Sequence, residues 1–444
     1  MVRFADRPMA AWMLGAVALA IAAISAKPFA GGWNDAGRLA AVESLLERGT
    51  FAIDDSIFVN STYDKLFAHG HFYSDKPAIG SLLIACLYRP LEWLGAPTPH
   101  ERPDVFVRLI TILTSGLGYA VATGCLWVIG RRTGLEPRLR FGWLAAFALC
   151  TYAPTYTQHV NSGAMQLGVL GVMAVLLTVE NRWRTGNLVA LGMLAGIGFN
   201  LDYGSGPPLV ACLFALVWWQ TRRFKSLAAF SVGVLPWVAA GIGINYAIAG
   251  VWKPLGMYPE FFLYPGSPFT EENLTGGLHH KPLNLLLYAG GMLFGKHGFL
   301  NHNLPLILLI IPGIPAILRG PSELKWLMAW CGLTWLMYAV LSNNMGGGCC
   351  SVRWFVPFLV PEFWLLARVL QAKPHLEPQF GALSAGGFVL AGLMWWKGPW
   401  TMNMVPFMWY VVGLTLIAWG VVAWRTRPKV NAALPMEAPL RMAA

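Results

Sequence analysis

Two short runs in a hydrophobic chain carry the residue types that group-transfer chemistry needs. One is Trp33-Asn34-Asp35-Ala36-Gly37-Arg38 and the other is Phe72-Tyr73-Ser74-Asp75-Lys76-Pro77. A positioned carboxylate can orient or deprotonate a hydroxyl, and a lysine at a helix start can neutralise an anion. Both runs lie in residues 27–80, the first long polar stretch of the chain. Each also has a plain structural alternative. Asn34 or Asp35 could cap a helix running to Arg48, and Ser74 or Asp75 could cap one beginning at Pro77. The residue types alone leave both readings open.

The elements that must position these groups are membrane helices. Of 444 residues 56% are hydrophobic and 12% charged, with mean hydropathy +0.53, too little polar side chain to cover a soluble globule of this size. Apolar segments near the roughly 20 residues needed to span a bilayer recur between short polar loops. They fall near 9–26, 104–130, 141–157, 162–179, 187–201, 207–220, 227–249, 303–318, 325–341, 354–371, 379–396 and 405–424. The fold class is therefore an all-α polytopic membrane protein, a bundle of about twelve transmembrane helices. The formal charge of +11 does not indicate nucleic acid, because the basic residues sit in small clusters between spans. The first span follows Arg3 and Arg7 and lacks a cleavage site before Lys27, so it reads as a retained helix with a cytoplasmic amino terminus.

Placing Arg131-Arg132, Arg182, Arg222-Arg223, Arg319 and Arg425 inside makes the polar loops at the other ends of the spans outer ones. Pro77 to Leu94 is then a juxtamembrane helix on the outer surface, and Leu283 to Phe294 a second. One transmembrane catalytic domain over 1–430 is expected, with a first outer loop at 27–103, a second at 250–302 and a cytoplasmic tail at 431–444. His159, Asn161, Asp202, Tyr203, Glu260, His279, His280 and Arg353 map to the outer face with Asp35, Arg38, Tyr73, Asp75 and Lys76. Asp202 reads as a cap or a pocket residue. Arg353 reads as a snorkelling interfacial arginine or as a fork for phosphate oxygens. Glu260, His279 and His280 share a loop and offer cation ligands. Cys349 and Cys350 read as small residues at a tight turn or as a redox pair, and Glu362 as a mid-span carboxyl, neutral or paired.

Asp35-Ala-Gly-Arg38 followed by Phe72-Tyr-Ser-Asp-Lys-Pro77 resembles the first outer loop of the bacterial GT-C glycosyltransferases, the class of the lipid A aminoarabinose transferase and the protein O-mannosyltransferases. Gly346-Gly-Gly-Cys-Cys-Ser-Val-Arg353-Trp resembles their glycine-rich run before a late span. Ala78 departs from the pattern, where relatives carry a second proline. So does Gln158-His159-Val160-Asn161, where many carry an acid. The resemblance implies a GT-C-like bundle with Asp35 as catalytic carboxylate. It further implies that Lys76, with Arg353, binds the phosphate of a polyprenyl-phosphate sugar donor.

The expected reaction moves that sugar, with inversion, to a hydroxyl of a lipid, protein or glycan acceptor. It would take place at the outer face of the bacterial inner membrane. A divalent metal ion is the one cofactor left open. The alternatives are a lipid or solute transporter, which would place its ionisable groups at mid-bilayer between repeats, and a non-catalytic subunit of the same fold.

Overall fold

The computed structural model describes residues 9–274, 282–342 and 344–427. It is a helical bundle, as the hydropathy requires, because only structures that satisfy their own backbone hydrogen bonds survive in lipid. Among the described residues, five helical stretches are long and apolar enough to cross a membrane: Pro103–Thr133, Phe224–Ala249, Ser322–Leu341, Arg353–Ala372 and Met408–Arg425. Met9–Ser25, Ser162–Leu177 and Thr185–Leu201 are shorter apolar helices.

In chain order the elements used below are α1 (Met9–Ser25), α2 (Trp33–Glu47), strands β1 (Lys65–Ala68) and β2 (His71–Ser74), α3 (Ala78–Trp93), α4 (Pro103–Thr133) and α5 (Pro137–Leu149). They continue with α6 (Ser162–Leu177), α7 (Thr185–Leu201), α8 (Gly206–Thr221), α9 (Phe224–Ala249), α10 (Pro282–Phe294) and α11 (Gly313–Leu318). The last are α12 (Ser322–Leu341), α13 (Leu359–Ala372), α14 (Glu377–Lys397) and α15 (Met408–Arg425).

Helices are present at both places where juxtamembrane helices are expected, as α3 and α10. Three local expectations are corrected. The span expected at 303–318 is broken into a 3-10 turn, Leu304–Leu309, and the short α11, because Pro305, Pro312 and Pro315 remove ladder donors. The span expected at 141–157 stops at Leu149 and continues as a 3-10 turn, Ala153–Thr157, at Pro154. The first polar loop, read as loop and helix, also contains the antiparallel hairpin β1–β2, in register Lys65 with Ser74 and Ala68 with His71. His69 and Gly70 turn it with φ of 49° and 86°.

Close helix contacts are made through small residues, the usual membrane solution when hydrophobicity gives helices no preference for each other over lipid. Gly118 of α4 lies against the Ala164 carbonyl of α6, and Gly168 of α6 against Gly118. Gly192 of α7 meets the Phe230 carbonyl of α9, and Gly233 of α9 meets Val189. Asn200 ties the same pair, its Nδ2 donating to the Trp237 carbonyl at 2.9 Å. A core of large apolar side chains, including Trp127, Trp143, Phe147, Trp330 and Phe358, runs continuously through α1, α4 to α8 and α12 to α14. Trp12, Ile24, Leu414, Ile417 and Trp424 stay exposed, as lipid-facing residues of α1 and α15 do.

Gly118→Ala would force a Cβ onto the Ala164 carbonyl. We predict a loss of about 1–3 kcal/mol, the usual cost of overpacking, seen as a lower melting temperature of the detergent-solubilised protein. Gly186→Ala, with open space around the site, is predicted to leave the melting temperature unchanged.

Candidate active site

The first turn of α2 builds one wall of the site. Gly32 is the N-cap, and Asp35, three residues into the helix, reaches back to it. Asp35 Oδ2 accepts the Gly31 amide and Oδ1 the Gly32 amide, both at 2.8 Å. The capping alternative is therefore realised from the third helical position, the acidic half of a capping box, and not by Asn34 or Asp35 as N-cap. Asp35 is buried, and His159 Nδ1 stands 3.1 Å from its Oδ2. One turn on, Arg38 is also buried. Its Nη2 donates to Ser162 Oγ at 2.9 Å, while its Nε and Nη1 are buried with no hydrogen-bond partner.

The hairpin and the start of α3 supply the second wall. Lys76 Nζ lies 2.6 Å from Asp64 Oδ2 and 2.8 Å from Asp75 Oδ1. The ammonium is therefore already neutralised by two carboxylates and is not free at headgroup depth, as the sequence suggested. Ser74 and Asp75 do not cap α3. Pro77 is its N-cap without a side-chain bond, and Ser74 Oγ accepts the Lys76 amide instead. Burial pushes Asp75 up to about 6, with the Asp64 charge adding to the rise and Lys76 opposing it. Burial also acts to raise Asp64, but Lys76, Arg353 and Arg38 together hold it below the ordinary range. Burial lowers Arg38 to about 10 against the pull of Asp75.

The third wall comes from the far end of the sequence. Gly346, at φ 97°, begins the glycine turn, where a Cβ would crowd Arg353 Cγ and Cys349 Sγ. Cys349 bridges to Trp400, and the Cys350 amide donates to the Pro399 carbonyl at 2.8 Å. These contacts bring the Arg353 guanidinium over the Trp400 ring, 5.7 Å from its centroid. Trp400 in turn packs on Gly31, Gly32 and His159, next to Asp35. Arg353 Nε and Trp400 Nε1 are buried without partners. Cys349 and Cys350 are buried free thiols, not a disulfide.

The structure thus brings Asp35, Arg38, Asp75, Lys76, His159 and Arg353 together. Asp202 joins them through its field on Arg38. Its Oδ1 accepts the Gly204 and Ser205 amides and, at 2.5 Å, the Tyr338 hydroxyl, so it caps a turn before α8. Asn161 is the N-cap of α6, its Oδ1 accepting the Ala164 amide. Tyr73 packs beside Leu66 and Ala78 in a separate apolar cluster, and half-buried Tyr203 stacks edge-on against Phe199. Glu260 is exposed in the turn Pro259–Phe261, and its expected partners His279 and His280 lie outside the described residues, as does the tail 431–444. Glu362 lies at the middle of the helical stretch Arg353–Ala372, as expected, and is half-buried there.

Sequence reasoning missed Asp64, Ser162, Tyr338 and Trp400. Asp64 had only its outer-loop position to mark it, and Trp400 followed an interfacial pair, Trp395-Trp396, that read as a belt.

Each Asp35 oxygen accepts one backbone amide, and the nearby Asp64 and Asp75 enclose the Lys76 ammonium.

A many-helix membrane protein with a cluster of buried charged groups drawn from distant parts of the chain is the class defined by these features. Among solved structures it is similar to ArnT, the lipid A aminoarabinose transferase of the GT-C family, from Cupriavidus metallidurans. In the apo state the two share 15% identity over 93% of this chain and 76% of ArnT, with a TM-score of 0.51. With ArnT bound to undecaprenyl phosphate the values are 14%, 93% and 75%, with a TM-score of 0.49. No family model and no curated protein matches the chain. The fold is GT-C-like, in keeping with the sequence resemblance.

Asp35, Asp64, Asp75 and Asp202 against Arg38, Lys76 and Arg353 leave one negative charge in excess when all are ionised. An anion entering the cleft is accommodated best when Asp75 takes up a proton. Since Asp75 sits near 6, we predict that affinity for a phosphodiester anion falls as pH rises above about 6, by up to about tenfold per pH unit for one linked proton. A polyprenyl phosphodiester titrated calorimetrically from pH 5 to 8 would measure this. Asp75→Asn is expected to flatten the dependence, and an unchanged slope in that variant would refute the linkage.

Proposed function

We propose that this chain is a membrane glycosyltransferase that passes a sugar from a polyprenyl-phosphate donor to an acceptor hydroxyl at the outer face of the bacterial inner membrane. The observation that carries this reading is the pairing of a buried carboxylate, Asp35, with buried guanidinium N–H groups of Arg38 and Arg353 that have no partner in the protein. Leaving a buried ionic donor unsatisfied costs a few kcal/mol, so such groups together favour an anionic ligand. A phosphate fits them, since Arg forks match its oxygens. The GT-C-like fold supports the same assignment.

In the proposed step the acceptor oxygen attacks the anomeric carbon while the bond from that carbon to the phosphate oxygen breaks. The electron pair of that bond leaves on the phosphate, and the acceptor proton moves to Asp35. A carboxylate offers about four lone-pair sites, so the amides of Gly31 and Gly32 leave capacity on Asp35 for the hydroxyl. His159 flanks it. Charge grows on the departing phosphate, and Arg38, Arg353 and Lys76 stabilise that growth more than the ground state. Lys76 acts while still shared with Asp64 and Asp75, so its contribution depends on how far those acids release it.

A single displacement inverts the anomeric centre. The proposed step uses no metal ion, because Arg38, Arg353 and Lys76 supply the positive charge at the phosphate. A loss of transfer on EDTA treatment that is restored by a divalent cation would overturn that part.

Asp35→Asn and Lys76→Ala are each expected to lower transfer from a radiolabelled polyprenyl-phosphate sugar by about 100-fold or more. Unchanged turnover in both would remove the assignment. NMR of the product should show the inverted anomer.

A further inference from the structure

At the other end of α2, away from the cleft, three metal-ligand side chains converge that the transfer reaction does not use. Glu43 and Glu47 are four residues apart and so share one helix face. His100 comes from the turn Thr98–Glu101, which is fixed by the Thr98 amide donating to Glu101 Oε2 at 2.8 Å and the Glu101 amide donating to Thr98 Oγ1. His100 Nδ1 lies 2.6 Å from Glu47 Oε2 and 3.7 Å from Glu43 Oε1, and the three ligand atoms all fall within 4.8 Å of one another. Glu43 stands about 12 Å along the helix from Asp35 by the 1.5 Å rise per residue.

The second observation is Glu43 itself. Its side chain is 0% exposed, yet Oε1, the oxygen turned toward His100, accepts no hydrogen bond. Its other oxygen is held by Arg48 Nη2 at 2.7 Å, and the same Nη2 donates to Ser44 Oγ at 2.8 Å. Arg48 Nη1 also stands 3.6 Å from Glu47 Oε2, so Arg48 braces both carboxylates and leaves Glu43 Oε1 aimed into the cluster, as outer-shell partners of metal ligands do. A buried carboxylate oxygen without a donor is costly. A cation between the three ligand atoms removes that cost.

We propose that Glu43, Glu47 and His100 bind a divalent cation of the zinc type. The donor set is one imidazole nitrogen and two carboxylate oxygens, which suits zinc and not the all-oxygen preference of magnesium or calcium. Ligands about 2.1 Å from a tetrahedral ion stand about 3.4 Å apart. The 3.7 Å separation already fits, and the 2.6 Å one needs to open by under 1 Å. Glu47 and His100 are 20% and 49% exposed, so they have the freedom to make that adjustment. Glu47 also lines an open groove with Arg89 and Glu92, which gives an ion its entry.

Three protein ligands leave the fourth tetrahedral position to a water molecule. The ion would fasten the far end of α2 to the segment that leads into α4, and α2 is the helix that carries Asp35 and Arg38. The inference does not rest on the transferase reading.

The test uses the full-length protein in detergent, stripped with chelator and titrated with zinc chloride by calorimetry, alongside a thermal melt. Wild type is expected to bind one tight equivalent and to melt higher with zinc. His100→Ala should weaken that equivalent at least tenfold and lose the thermal gain, and His100→Cys, which restores a zinc ligand, should recover both. His100 is half exposed, so these variants are not expected to unfold the chain. The proposal fails if wild type binds no zinc, or if its isotherm superimposes on that of His100→Ala because the metal sits on other histidines.

Discussion

The ammonium of Lys76, held between Asp64 and Asp75, is the interaction on which the architecture of the cleft depends. A buried charge is tolerated only when paired and hydrogen-bonded, and removing one member of such a pair costs about 3–5 kcal/mol. Asp64 precedes β1, and Asp75 and Lys76 follow β2, so the ion triplet closes the base of the hairpin just where α3 begins. The Asp75 amide donates to the Asp64 carbonyl at 3.4 Å across the same closure. The hairpin base then packs on α2. Gly37 approaches the Asp64 carbonyl, Ser74 Oγ and Thr62 Oγ1, and Thr62 Oγ1 donates to the Trp33 carbonyl at 2.8 Å. Helix entry, hairpin and charged cluster are therefore one packed unit.

That unit explains why capping and chemistry need not exclude each other. Asp35 uses the amides of Gly31 and Gly32 to start α2, which fixes its carboxylate in place. Arg38, one turn later, is fixed by Ser162 at the start of α6. Preorganised charges of this kind stabilise a transition state without reorganising at the moment of reaction. The surplus of acid over base in the cleft makes the empty state tolerable, since three cations crowded together without Asp64, Asp75 and Asp202 would repel one another.

Legibility followed sequence distance. The helical, membrane-spanning character was readable because stretches of about twenty hydrophobic residues suit a bilayer, and the helices α3 and α10 because polar residues bracket them. Asp35 and Arg38 were readable because three-residue spacing puts them on one helix face. The partners of Lys76 were only half readable: Asp75 is adjacent, but Asp64 arrives through a hairpin whose strands alternate too briefly to announce themselves. The break in Leu304 to Leu318 was signalled by its prolines, yet hydropathy outweighed them. Trp400 could not be reached from sequence at all, since nothing local says that a residue between α14 and α15 packs on Gly31 and Gly32.

The late segment does more than fill space. Arg353 leaves the glycine turn at the start of a 3-10 turn, and only the left-handed conformations of Gly346 and Gly347 let the chain reverse tightly enough to place Cys349 and Cys350 against Pro399 and Trp400. Left-handed backbone is easily reached only by glycine. The indole then touches both Arg353 and the turn that carries Asp35, linking the two ends of the chain. The cleft is consequently not a property of the first polar loop alone. Its anion-facing guanidinium groups come from residues 38 and 353, and their mutual repulsion, which acts to lower Arg38, is relieved either by the surrounding aspartates or by an anion placed between them.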